Sequence, residues 1–213
     1  MKKKRFVKSR RSKLLFVGVV FACTIFTAGC GKEKAPAEST EERTTQGSTE
    51  ISTETSEETG LEIGTFEAKA LDGQTFTEED IAKKDATLIN FWATYCGPCI
   101  EELPDIAKLE KELPDNVQIV TVCLDAGTEA DSAEEILKEA GFEGVTLVSG
   151  DGGLAEIIGS IMYTPTTIVV DSEGKLVGDA IIGGQKNLEE AFTAAINEAL
   201  KSEGKTEIKH GEE

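Results

Sequence analysis

Two cysteines, separated only by Gly97 and Pro98, follow an apolar β-like run that ends in Phe91-Trp92. A helical pattern begins directly after them. A cysteine in the first turn of a helix has its thiolate favoured by free backbone N–H groups and by the helix dipole. A second cysteine one turn on lies on the same face, close enough to attack a mixed disulfide. That layout moves electrons between dithiols. The competing reading of the pair is half of a structural zinc site, which needs a second pair or histidines. Cys123 and the lone His210 do not supply one, so no metal is expected. The same lone histidine, in an acidic tail, excludes Cys–His nucleophilic chemistry.

The elements that must hold this pair alternate. A hairpin over Phe66 to Phe76 turns at Asp72-Gly73, and Glu78 to Lys83 reads as a helical turn. Thr87 to Trp92 is a buried strand, and Gly97 to Leu113 has helical spacing with a kink expected at Pro104. Val117 to Leu124 is the next strand, Ser132 to Ala140 a helix stopped at Gly141. A short strand at Val145 to Val148 and a helix from Leu154 to Ile161 come next. Thr166 to Val170 and Leu176 to Ile182 form a hairpin, and Leu188 to Leu200 is the last amphipathic helix. The pattern is α/β with a mixed central sheet flanked by helices.

Residues 1–29 hold eight basic residues, no acids and an apolar run from Leu14 to Ala28, as an export signal does. Thr27-Ala28-Gly29-Cys30 resembles the lipobox of bacterial lipoproteins, although Thr27 stands where Leu is usual. That resemblance implies cleavage before Cys30 and its lipidation; two acyl chains anchor stably where one is marginal. Cys23 would leave with the signal. Cleavage leaves 14 basic and 40 acidic residues, a net charge of −26. Such a surface repels nucleic acid and anionic headgroups, so the lipid alone must hold the membrane. Residues 30–60 carry Ser, Thr, Glu and a single large apolar residue, Ile51, and are expected to be a disordered tether. As a coil it would span on the order of 30 Å. The expected domain covers 61–201, with a polar, frayed tail over 202–213.

Three segments resemble the thioredoxin superfamily, in particular the membrane-tethered TlpA/ResA-like thiol–disulfide oxidoreductases. They are Trp92-Ala93-Thr94-Tyr95-Cys96-Gly97-Pro98-Cys99, the loop Tyr163-Thr164-Pro165-Thr166-Thr167, and the inserted helix and strand between Ala126 and Ile161. The resemblance implies a thioredoxin fold with an N-terminal hairpin and a central insertion. Cys96 is then the exposed nucleophile with a lowered pKa, and Cys99 the buried resolving thiol. No cofactor beyond their disulfide is implied. Pro98 suits the first helical turn, where its missing N–H costs nothing. The Gly97-Pro98 dipeptide matches thioredoxin, with a potential near about −270 mV, and so leans toward a reductase. Pro165 is expected to be cis, leaving the backbone of Thr164 free to pair with an extended substrate.

Trp92 and Tyr95 would flank the disulfide as a substrate-facing apolar surface, with Tyr95 in place of the family's second Trp, and Trp92 reads equally well as core packing. Glu102 would tune the thiols or relay protons, because Asn90 stands where thioredoxin has a buried Asp. Cys123, in a β-branched strand, reads as inert core.

The partners implied are disulfide-bearing exported proteins, apocytochrome c among them, and a membrane thiol reductase as electron donor, since the outside compartment is oxidising. The protein is expected on the extracytoplasmic face of the cell membrane, as a monomer. Two alternatives are a thiol peroxidase and a copper-handling lipoprotein. The first fits Ala93-Thr94-Tyr95-Cys96 poorly, and the second needs wider cysteine spacing and a distal histidine.

Overall fold

The computed structural model describes residues 61–209. The expected signal, Cys30, the expected tether and His210 lie outside the described residues.

Seven strands form one sheet: β1 (Glu67–Ala70), β2 (Thr75–Thr77), β3 (Ala86–Trp92), β4 (Val117–Cys123), β5 (Val145–Gly150), β6 (Thr166–Asp171) and β7 (Leu176–Ile182). Their spatial order is β2-β1-β5-β4-β3-β6-β7. β3 pairs with β4 in parallel and with β6 antiparallel, so it is flanked on both sides. Every residue of β3 is buried, which explains its nearly unbroken apolar sequence.

Side chains alternate across the sheet. Leu88 and Trp92 of β3 and Ile119 of β4 face a core closed by α2 (Gly97–Glu112), α3 (Ala126–Ala140) and α5 (Leu188–Ser202). Ile89, Phe91, Val120 and Val122 face the other core, closed by α1 (Glu78–Ile81) and α4 (Gly152–Ser160). The mixed sheet with helices on both faces agrees with the sequence reading.

Some details differ. α3 starts at Ala126, six residues before the helix expected at Ser132, and Glu129 breaks its backbone with φ −120° and ψ 31°. A short first turn of small residues thus precedes the periodic helix, and Ala126-Gly127-Thr128 carries too little apolar signal to reveal it. The helix does end at Gly141, whose φ of 73° suits a residue without Cβ. α2 is assigned as one helix through Pro104.

The tail is not frayed where it is described. Asn197 of α5 accepts the Ile208 N–H at 2.7 Å and donates to the Ile208 carbonyl at 2.9 Å. Glu203 accepts from the Ser172 N–H at 3.0 Å, and Lys205 reaches Asp85 at 2.8 Å. The polar composition hid this docking, because its partners Asn197, Ser172 and Asp85 lie on three separate segments.

Asn197→Ala should release this tail. Two hydrogen bonds of modest net worth predict a loss of about 1–3 kcal/mol. Urea unfolding would read the loss, and hydrogen exchange would show faster exchange at the Ile208 amide; unchanged exchange there would contradict the clasp.

Candidate active site

β3 delivers the chain to the top of the sheet at Trp92. The next residues turn back, with the Cys96 N–H bonded to the Ala93 carbonyl at 3.0 Å. Cys96 is the N-cap of α2, with extended φ and ψ, and its carbonyl accepts the Ile100 N–H at 3.1 Å. Gly97 and Pro98 fill the first helical positions, where a proline loses no intrahelical bond. Cys96 and Cys99 are joined as a disulfide, with Cα atoms 5.3 Å apart. Sequence spacing foresaw this pair at the helix start. It overstated the exposure of Cys96, which is only 7% exposed.

The loop before Cys96 is clamped from the N-cap residue of α3. The Asp125 carboxylate accepts the Thr94 N–H at 3.0 Å and also its hydroxyl. The buried Cys123 thiol donates to the same carboxylate at 3.3 Å. Burial alone would raise the Asp125 pKa; the hydrogen bonds from Thr94 and Cys123 outweigh it and hold the group below the ordinary value. Burial, then the hydrogen bond to Asp125 and the charge of that carboxylate, pushes the Cys123 thiol up to about 12. It is therefore an unreactive core thiol, as the strand pattern suggested. Nothing in sequence spacing pointed to Asp125, since the partner lies across two elements.

Under the disulfide lies a buried polar cluster. Asn90, on the α2 side of β3, donates through Nδ2 to Glu102 Oε1 at 3.2 Å and to Thr167 Oγ1 at 2.9 Å. Glu102 is 6% exposed, so it is no solvated helix residue. Its Oε2 is buried with no hydrogen-bond partner among the described residues. An unpaired buried oxygen is cheaper on a neutral carboxyl than on a carboxylate. Burial accordingly raises the Glu102 pKa from 4.5 to about 7, against the opposing pull of the Asn90 hydrogen bond.

The remaining wall is the loop before β6. The Thr164–Pro165 peptide is cis, as the sequence reading expected. The Pro165 carbonyl accepts the Gly183 N–H at 2.8 Å, while neither backbone group of Thr164 has a hydrogen-bond partner among the described residues. A Cβ on Gly184 would stand 3.7 Å from Pro98 Cβ and 3.8 Å from Glu102 Oε2. The Pro165 loop, residues 183–185 and the start of α2 therefore adjoin one another. Gly183 and Gly184 carry no recognisable motif, which is why sequence alone passed them over.

Two aromatics part company. Tyr95 is 80% exposed beside Cys96, as expected of a residue on the contact surface. Trp92 is fully buried and belongs to the core under α2 and α3, so it does not face a substrate. The alternation of β3 decides this, because Trp92 shares the inward face with Leu88.

Two measurements test this geometry. The fold raises the Glu102 pKa, so the native state holds a proton that the unfolded chain releases. The stabilising share is fully present below about pH 4.5 and is lost as the pH climbs through about 7. Burial raises the Glu110 pKa as well, so the comparison must be against Glu102→Gln. Between pH 5 and 8 the wild type should lose on the order of 1–3 kcal/mol more than this variant. Parallel stability curves would refute a Glu102 pKa raised by burial. Separately, Asp125→Ala should cost about 1–3 kcal/mol and speed amide exchange at Thr94; a Thr94 amide exchanging as before would refute the clamp.

Comparison with known proteins agrees with this site. The Redoxin family model matches residues 32–194. The chain is 34% identical over 122 residues to the thioredoxin-like protein YneN of Bacillus subtilis, covering 55% of this chain and 68% of that protein. It is 29% identical over 126 residues to the thiol-disulfide oxidoreductase ResA of Bacillus cereus, covering 58% and 69%. Among solved structures, the exposed lipoprotein thioredoxin Etrx1 of Streptococcus pneumoniae superposes with a TM-score of 0.50 and 30% identity, over 65% of this chain and 99% of that one. With the dithiol at the start of α2, these likenesses establish that the chain belongs to the Redoxin family and is a TlpA/ResA-like thiol–disulfide oxidoreductase of the thioredoxin superfamily.

Proposed function

We propose that this protein is a lipid-anchored, extracytoplasmic reductase for disulfides in exported proteins. The observation that carries the reading is the Cys96–Cys99 disulfide at the N-terminus of a long helix, beside the unpaired backbone of Thr164. The basic and apolar start of the chain and the Thr27-Ala28-Gly29-Cys30 segment support export and lipidation at Cys30. A pneumococcal protein of similar structure is described as an exposed lipoprotein thioredoxin, which supports the same placement.

In the reduced enzyme the Cys96 thiolate is favoured by the N–H groups and dipole of α2. It attacks one sulfur of a substrate disulfide, forms the mixed disulfide and releases the other substrate sulfur as a thiolate. Tyr95, Gly97 and Pro98 border the attacking sulfur, and Thr164 offers its N–H and C=O to the extended substrate backbone. Cys99 then loses its proton and attacks Cys96 Sγ. The second substrate sulfur leaves, and the Cys96–Cys99 disulfide closes. Two electrons pass to the substrate, whose two sulfurs each take up a proton. Glu102, with its pKa raised to about 7, accepts the Cys99 proton from its ionised fraction, in place of the carboxylate that Asn90 cannot provide. A membrane dithiol donor returns two electrons for the next cycle. Haem-attachment cysteines of apocytochrome c are one substrate class that the ResA-like character suggests.

Cys99→Ala removes the resolving thiol and should retain substrates as mixed disulfides on Cys96. Mass spectrometry of the trapped species should identify exported proteins with paired cysteines. A trap that holds no discrete exported partner would overturn the reading. The reduction potential, measured against glutathione, should lie near thioredoxin's about −270 mV; a value near about −120 mV would indicate an oxidant instead.

A further inference from the structure

We propose that a groove between α4 and β7 docks an extended apolar segment of the substrate polypeptide, flanked by a basic residue, next to the cysteine under attack. This rests on the reductase reading and names the kind of substrate. The groove encloses about 440 Å³ and is walled by Ile157, Ile161, Met162, Tyr163, Ile168 and Ile182. Met162 is 80% exposed, Tyr163 68% and Ile182 61%, so large apolar surface faces solvent here.

Continuity with the redox site fixes where the occupant comes from. Tyr163 immediately precedes Thr164 and Pro165, and Ile182 pairs with Thr166 and precedes the Gly183 N–H that bonds to Pro165. Tyr163 and Thr166, on either side of Thr164 and Pro165, both line the groove, so its near end lies at this loop. β7 spans seven residues, about 20 Å at strand rise, which suits roughly six extended residues.

The other end is closed by this protein's own chain. The Leu176 N–H donates to the Leu61 carbonyl and the Ile63 N–H to the Gly174 carbonyl, both at 2.8 Å. β7 is the last strand of the sheet, but its pairing is irregular between Val177 and Ile181, and Gly178 has φ 68°. An irregular edge is a poor template for a continuous ladder. Side-chain burial, not strand addition, must carry the affinity.

Charge selects among occupants. Glu62 and Glu156 border the groove, while nearby Lys175 is held by Glu173 at 2.9 Å. Residues 52–60 of this chain are Ser-Thr-Glu-Thr-Ser-Glu-Glu-Thr-Gly, which offer no large apolar side chain and bring more acid to an acidic rim. A second copy would set two such rims together on chains of net charge −18. An apolar segment with a lysine or arginine fits both wall and rim.

The test compares the reduced enzyme on three probes: a small aromatic disulfide, a peptide disulfide whose cysteine is flanked by Leu, Ile, Phe and Lys, and the same peptide with Ser and Glu instead. The wild type should prefer the apolar basic peptide by about tenfold in kcat/KM. Ile182→Glu and Met162→Glu, both at exposed positions, should each lower that rate about tenfold while leaving the aromatic disulfide within about twofold. Equal wild-type rates on the two peptides would overturn the groove and leave the reductase reading standing. An equal fall on peptide and aromatic disulfide would overturn it too, by placing the effect at the dithiol. So would a dimer in sedimentation that Ile182→Glu dissolves. Failure of the wild type on all three probes would instead overturn the reductase reading.

Discussion

One buried amide holds the site together. Asn90 sits in the most buried strand of the sheet, where a polar side chain persists only if it is bonded. It donates down the α2 side to Glu102 and across to Thr167, and so ties the helix that carries the disulfide to the strand that follows Pro165. The antiparallel register of β3 and β6 sets Asn90 opposite Thr167, which makes the second bond possible. Everything above this point, the cysteines on one side and the Thr164 backbone on the other, is positioned by elements that meet at one side chain.

The same tie sets two opposed electrostatic environments on one helix. At its first turn, α2 presents N–H groups and the positive end of its dipole, which favour a negative sulfur at Cys96. Six residues on, about 9 Å along the axis, the burial of Glu102 disfavours a negative oxygen. Neither environment depends on a neighbouring cation, and the described surroundings of Glu102 include none that lowers its pKa. A helix that stabilises a thiolate at Cys96 while raising the proton affinity of Glu102 suits chemistry in which a thiolate forms and a proton must go elsewhere.

What could be read from the sequence follows from distance along the chain. The cysteine pair, the buried strand before it, Pro98 and the Thr164-Pro165 loop are signalled by residues within a few positions of one another, and local geometry delivered them. Asp125 clamping Thr94, Thr167 bonding Asn90 and Asn197 clasping Ile208 join residues far apart, and no local pattern announces them. Trp92 is an intermediate case. Its position in the motif left a surface role and a packing role open, and the alternation of β3 sends it inward. The first turn of α3 was missed because small residues and Gly127 can be helical without looking so.

Net charge opposes self-association at the exposed apolar site. The large apolar side chains most exposed among the described residues are Leu61, Tyr95, Met162, Tyr163 and Ile182. All but Tyr95 line the groove that leads away from the disulfide, and Tyr95 stands beside Cys96. An exposed apolar cluster of this kind invites self-association on a neutral surface. Here it sits in a chain of net charge −18, whose copies repel one another. The repulsion acts between whole molecules over about a Debye length of 8–10 Å at physiological salt, whereas apolar burial acts only on contact. A partner that is not strongly acidic pays no such penalty on approach, so charge and apolar surface together separate substrates from siblings.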